Sequence, residues 1–216
     1  MAIKRHWLPV IGLGVLALIW GYNWVVMKSA LRYAGPFTFA AIRAVIGGGI
    51  LFALIPILKR PLSPGSLPGI VLLGLLQTTG FFGLSIWALV SGGAGKTAVL
   101  VYTMPFWIVV LAGPLLGERL KGVQWLAVGF AFIGVVFLFH PWSTPANLYS
   151  MILATMAGFS WACAGVWSKY LRRRVTVDLM AINAWQLVIG AIPLIAIAIL
   201  REQQAIQWTS YFAFAI

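Results

Sequence analysis

Apolar runs of about twenty residues alternate with short polar breaks along the whole chain. Seven such runs fall at roughly 8–30, 37–58, 67–90, 97–116, 122–140, 148–170 and 179–200. The breaks read "YAGP", "KRPLSPGSLPG", "SGGAG", "GERLKG", "HPWSTPAN" and "RRRVTVD", the Gly, Pro and charge clusters that mark turns. Each run approaches the ~20 residues a helix needs to cross hydrocarbon, so the pattern predicts seven membrane-spanning helices. The first follows "MAIKRHW" as a signal peptide's apolar core would. It is long for that role, contains Trp and Asn, and lacks a small-residue cleavage site, which predicts an uncleaved span. Past "REQQ" at 201–204, "QWTSYFAFAI" opens an eighth apolar segment, so the sequence reads as incomplete or natively shortened there.

Composition excludes the soluble alternative. Hydrophobic residues make up 62% of the 216, charged residues 8%, and the mean hydropathy is +1.00. A soluble domain of this size carries about a quarter charged residues to face water. The expected class is therefore all-α, a polytopic integral membrane bundle. The net charge of +12 would suit nucleic acid, but the basic residues sit in the breaks and form no stripe, which points to membrane orientation instead. With the amino terminus cytoplasmic, Lys4, Arg5, Lys59, Arg60, Arg119, Lys121, Lys169, Arg172, Arg173 and Arg174 fall inside. Only Lys28, Arg32, Lys96 and Arg201 fall outside, with Arg43 within the second span. The chain is accordingly placed in the inner or plasma membrane. Its one cysteine, Cys163, excludes an internal disulfide and a cysteine metal cage. No metal and no cofactor is expected.

Two outlines recur. "WGYNWVVMK" at 20–28 is echoed by "WACAGVWSK" at 161–169, with Trp and Lys eight apart in both. "AIRAVIGG" at 41–48 lies against "AWQLVIGA" at 184–191, setting Arg43 opposite Gln186 and Gly47 opposite Gly190. Five crossings separate the first and sixth spans, so they start on opposite faces; duplication of an odd helix number gives an inverted repeat. Convergent use of Trp and Lys as interfacial anchors is the alternative.

"WGYNWVVMK", "AIRAVIGGG", "GAGKTAVLVYTMPFWIVVLAGPLLGERL" and "QWLAVGFAFIGVVFL" together resemble the EamA-type members of the drug/metabolite transporter superfamily, across essentially the whole chain. The resemblance implies ten helices in two inverted five-helix halves, a substrate cavity between them, and export or exchange of small metabolites. It divides this chain into a first repeat over 1–141 and the start of a second over 142–216. The chain departs from the pattern by ending near the eighth helix, without a second "P…GPLLGE" segment.

The polar residues inside the spans are the candidate substrate pathway. Trp20, Trp24 and Lys28 share a helical stripe at i, i+4 and i+8, with Asn23 and Met27 beside it. Asn23 must find a helix partner, water or solute in lipid; it reads as a cavity group or as a hydrogen-bonding staple between helices. Lys28 reads as a pathway residue or as a lysine snorkelling to headgroups. Gly14, Ala17 and Gly21, and in the sixth span Ala154, Gly158 and Ala162, are expected to let neighbouring backbones approach. Arg43, about six residues into its span, either reaches the interface or turns its planar fork inward toward a carboxylate or phosphate. Gln77 and Thr78 in "QTTG", and Tyr102, Thr103 and Pro105 in the fourth span, supply neutral polar groups and a proline that frees a carbonyl. They line a pathway or simply make a kinked packing helix with threonines bonded to their own backbone. Trp161 and Gln186 complete the candidates as the mirrored positions.

Glu118, Asp178, Glu202, His6 and His140 all fall at span ends, Glu118 with Arg119 or a nearby lysine as its pairing partner. A mid-membrane proton relay thus has no candidate, which predicts facilitated export, exchange, or coupling by another route. Paired carboxylates, HExxH and GxSxG are absent, which argues against an intramembrane enzyme. The reading is a secondary transporter of amino acids, related zwitterions or amphipathic solutes by alternating access; a non-transporting membrane subunit or regulator is the alternative. Its partners are a small-molecule substrate and the lipid bilayer, with no nucleic acid and a possible homodimer.

Overall fold

The computed structural model describes residues 7–117, 122–139, 147–175 and 178–216. These residues are helical almost throughout. The first two spans are α1 (Trp7–Ala30) and α2 (Pro36–Ile57). The third is a rod of α3 (Leu67–Leu73), a π-helical stretch (Gly74–Phe82) and α4 (Gly83–Ser91). The fourth breaks into α5 (Ala94–Val101) and α6 (Met104–Leu116); α7 (Gly122–Phe139), α8 (Leu148–Arg174), α9 (Leu179–Arg201) and α10 (Ser210–Ala215) follow. Six of the seven expected spans are long and apolar enough to cross a bilayer, and α7 is a shorter apolar helix. The chain is a multi-pass membrane protein. Lys4, Arg5, His6, Glu118, Arg119, Lys121 and His140, which enter the orientation and charge readings, lie outside the described residues.

The most extensive helix pair is α2 against α9, and it is antiparallel. At one end Arg60 Nη1 meets Asp178 Oδ2 at 3.3 Å, and Phe52 stands edge-on to Trp185 with centroids 5.0 Å apart. At the other end, Glu202 reaches the first turn of α2: Oε1 accepts from Phe37 N at 2.6 Å, and Oε2 from Thr38 N at 2.8 Å. Helices aligned with one another by sequence thus run in opposite directions through the core.

The third span earns its π turn from its contacts. Thr79 Oγ1 donates to Gly190 O at 2.7 Å and Thr78 Oγ1 to Gln186 O at 3.1 Å, both on α9. On its other side, Ser160 Oγ of α8 donates to Leu76 O at 2.7 Å. A widened turn leaves carbonyls available to such outside donors. The fourth span breaks where Pro105 lacks an N–H, leaving Val101 O without its usual helical partner. Thr103 Oγ1 donates to Leu100 O at 2.7 Å across the break.

α8 packs against α4, α5, α6 and the π stretch, and Ala154, Gly158 and Ala162 are buried in those contacts as expected. The matching expectation for α1 is corrected. Gly14, Ala17 and Gly21 are exposed, and a Cβ added at either glycine meets no atom within 4 Å. The residues that α1 buries fall in its last third, Trp24, Val26, Met27 and Ala30 among them; its small residues fall on the exposed part. α10 packs on α1, and its Phe212, fully buried, lies 5.8 Å from Phe39 between ring centroids.

Asp178 also caps α9, its Oδ1 accepting from Met180 N at 2.8 Å and Ala181 N at 3.2 Å. Asp178→Ala should therefore cost ~1 kcal/mol in thermal or denaturant unfolding. Arg60 is mostly exposed, so Arg60→Ala should change stability by less than about 0.5 kcal/mol. Equal losses would make the ion pair, and not the cap, the stabilising element.

Candidate functional site

A cavity of about 370 Å³ lies between α1, α2, the third span, the α5–α6 break and α8, at the small end of the range for solute pockets. α1 contributes Ile19, Trp20, Asn23, Trp24 and Met27, one face at helical spacing, and α2 contributes Arg43. Phe81 and Phe82 from the π stretch, with Ser85 and Ile86 from α4, form the facing wall. Tyr102 and Met104 enter from the α5–α6 break, and Trp161 from α8.

Each polar group has a structural reason to be there. Trp24 is 6% exposed; its Nε1 donates to Tyr102 Oη at 2.9 Å, with the rings edge-on at 6.0 Å. The break at Tyr102–Thr103 allows that meeting, because it turns the tyrosine out of the α5 helix. Asn23 Oδ1 accepts from both Nη1 and Nη2 of Arg43 at 3.4 Å. The Arg43 guanidinium also stands 5.5 Å from the Phe39 ring centroid, at cation–π range. Asn23 is thus both a cavity group and an α1–α2 staple, and Arg43 turns inward. Ser85 Oγ donates to Phe82 O at 3.2 Å.

Trp20, Asn23, Trp24, Arg43, Tyr102 and Trp161 are therefore brought together, whereas the other six sequence candidates lie elsewhere. Lys28 Nζ donates to Leu89 O at 2.5 Å and Val90 O at 3.0 Å, capping the carboxyl end of α4. Thr78 is buried in the contact with α9. Gln186 is buried too, its Nε2 donating to Asn183 Oδ1 at 2.8 Å while its Oε1 has no partner. Gln77 is half-buried on the π stretch, outside the lining. Thr103 bonds its own helix and accepts from Trp107 Nε1 at 3.2 Å; Pro105, exposed, starts α6. These two make the kink that presents Tyr102. Sequence reasoning missed Ile19, Ser85, Ile86 and Met104, which carry no signal in apolar sequence beyond their distance from the span ends.

The sequence profile described as "EamA-like transporter family" matches residues 7–140 and 148–216. "Uncharacterized transporter YoaV" of Bacillus subtilis (strain 168) is 29% identical over 206 residues, covering 93% of this chain and 70% of that protein. "Uncharacterized transporter YvbV" of the same organism is 32% identical over 204 residues, covering 93% and 66%. "Probable amino-acid metabolite efflux pump" of Escherichia coli (strain K12) is 29% identical over 202 residues, covering 89% and 65%. The chain thus spans about two thirds of the length of these curated relatives. A solved structure described as "Crystal structure of protein" has the same fold, with a TM-score of 0.65 at 21% identity over 90% of this chain and 69% of that one.

Proposed function

The chain belongs to the EamA-like transporter family, and from that premise we propose that it carries small amphipathic metabolites across the membrane by alternating access. The cavity is the solute site, and the observation that carries the reading is its wall: three tryptophans, a tyrosine and an arginine that meets Asn23 across α1 and α2. A charge inside a membrane span turns inward because hydrocarbon excludes it, and an ionisable group held against a cavity there marks a functional site. The antiparallel α2/α9 pair supports an inverted relation between the two halves. The profile's two matches, before and after the break near residue 141, support it as well. A relative named as an amino-acid metabolite efflux pump supports solutes of amino-acid size. The amino terminus is placed in the cytoplasm, so the Asp178 end of α2/α9 faces inward and the Glu202 end outward. Among the described residues that line the cavity there is no Asp, Glu or His, which supports a cycle without a proton relay at that site.

Alternating access makes one residue reachable from both sides. Trp20 lines the cavity yet is 55% exposed, so Trp20→Cys in a Cys163→Ser background leaves the packed core alone. In oriented vesicles a membrane-impermeant thiol reagent should label it from either face, at rates within about a hundredfold, as states a few kcal/mol apart allow. Labelling from one face only would reduce the cavity to a static pocket.

A further inference from the structure

Resting on the reading of the cavity as the solute site, we propose that its ligand is a monoanion, a carboxylate on a compact aromatic body, and not a zwitterion or a cation. Arg43 is the one charged group among the described lining residues. The two carboxylates of the described residues are engaged at opposite ends of α2/α9, Asp178 at one and Glu202 at the other. Arg43 meets only an amide oxygen, through two contacts at the long limit of 3.4 Å. A guanidinium has five N–H donors in a planar fork, and a cation removed from water without a counter-charge is costly. The Phe39 ring and Asn23 hold that fork in place before any ligand arrives.

The remaining polar groups agree in sign. Tyr102 Oη accepts from Trp24 Nε1, which leaves its own proton to donate. Trp20 and Trp161 also line the cavity, and an indole N–H can only donate. Asn23 Oδ1 already faces Arg43, and its Nδ2 points to Met27 Sδ at 3.8 Å. The cavity thus offers an anion several donors. Its described lining gives an ammonium group no carboxylate, and a fixed positive charge in the same wall. The aromatic faces of Trp20, Trp161, Phe81 and Phe82 suit a single ring.

Four probes with one shared ring separate the charge classes: 3-phenylpropanoate, phenylalanine, 3-phenylpropylamine and 3-phenylpropanol. Isothermal titration of the full chain in nanodiscs should show 3-phenylpropanoate binding at least about tenfold more tightly than the other three, the scale of one charge-assisted fork. Arg43→Gln should remove that advantage, and Arg43→Lys should keep the order of preference with weaker binding. If Arg43→Gln does not fold, Asn23→Asp supplies the same test by placing a carboxylate on Arg43, and it should also abolish the anion's advantage. Phenylalanine or the amine matching 3-phenylpropanoate would overturn the inference. So would unchanged anion affinity in a folded Arg43→Gln or Asn23→Asp chain, or binding of none of the four. Labelling at Trp20→Cys needs no ligand, so it tells failure of the transport reading from failure of this one.

Discussion

Gly190→Ala is expected to lower the melting temperature of the detergent-solubilised chain by roughly 10 °C, the consequence of about 3 kcal/mol of overpacking. A Cβ at Gly190 would sit 2.4 Å from both Gly74 O and Thr78 Cβ, and 2.9 Å from Gly74 C. From the other side, a Cβ at Gly74 would lie 2.9 Å from Gln186 O and 3.1 Å from Gly190 N. Two backbones cross here with nothing between them, so no side chain can swing aside. Relief requires α9 to move off the π stretch, which lengthens the Thr78–Gln186 and Thr79–Gly190 hydrogen bonds together. Gly14→Ala is the control, because that position is open; its melting should be unchanged. A Gly190→Ala chain melting like the parent would mean that α9 and the third span do not touch at this crossing.

The spans were legible because bilayer thickness imposes a length on every apolar run, and "GERLKG" or "KRPLSPGSLPG" cannot be buried in hydrocarbon. The interior of each span was less so. The π turn over Gly74–Phe82 depends on Ser160 and on the carbonyls of Gln186 and Gly190, more than eighty residues away in sequence. "QTTG" therefore reads locally as a pathway signal or as self-bonded threonines. In the structure its hydroxyls hold another helix, a role that no local pattern signals.

Helical spacing identified Trp20, Asn23 and Trp24 as one face, and they share the cavity. The same periodicity put Lys28 on that face and misjudged it. A long, flexible cation finds the bare carbonyls at the end of α4, an electrostatically favourable place for it. Periodicity gives direction from a helix axis and not where a four-carbon chain ends. Aligning Arg43 with Gln186 paired two residues of unlike fate for a related reason: one lines the cavity, while the other is buried with its side chain on Asn183 and its backbone carbonyl at the crossing with the third span.

Removing the Glu202 carboxylate is expected to have the largest effect on the transport cycle. Its two oxygens take Phe37 N, Thr38 N and Thr38 Oγ1, the last at 2.6 Å, at the positive end of α2. Loss of such a cap together with its favourable dipole interaction is worth about 2 kcal/mol. The Arg60–Asp178 contact at the opposite end is a long, exposed ion pair at 3.3 Å, worth at most about 1 kcal/mol. The two closures of the α2/α9 pair are thus unequal. Under alternating access, the Glu202 end should be the more reluctant to open. Glu202→Ala should then shift labelling at Trp20→Cys toward the Glu202 face by about thirtyfold, the population ratio that ~2 kcal/mol supplies. Arg60→Ala should shift it the other way by less than about fivefold. Gly35→Ala should mimic the first, because a Cβ there would lie 2.3 Å from the Glu202 carboxyl carbon and displace it. Combining Gly35→Ala with Glu202→Ala should add little, as two substitutions that break one contact must. Additive shifts would mean that the carboxylate and the first turn of α2 act separately, and the contact between them would not be the gate.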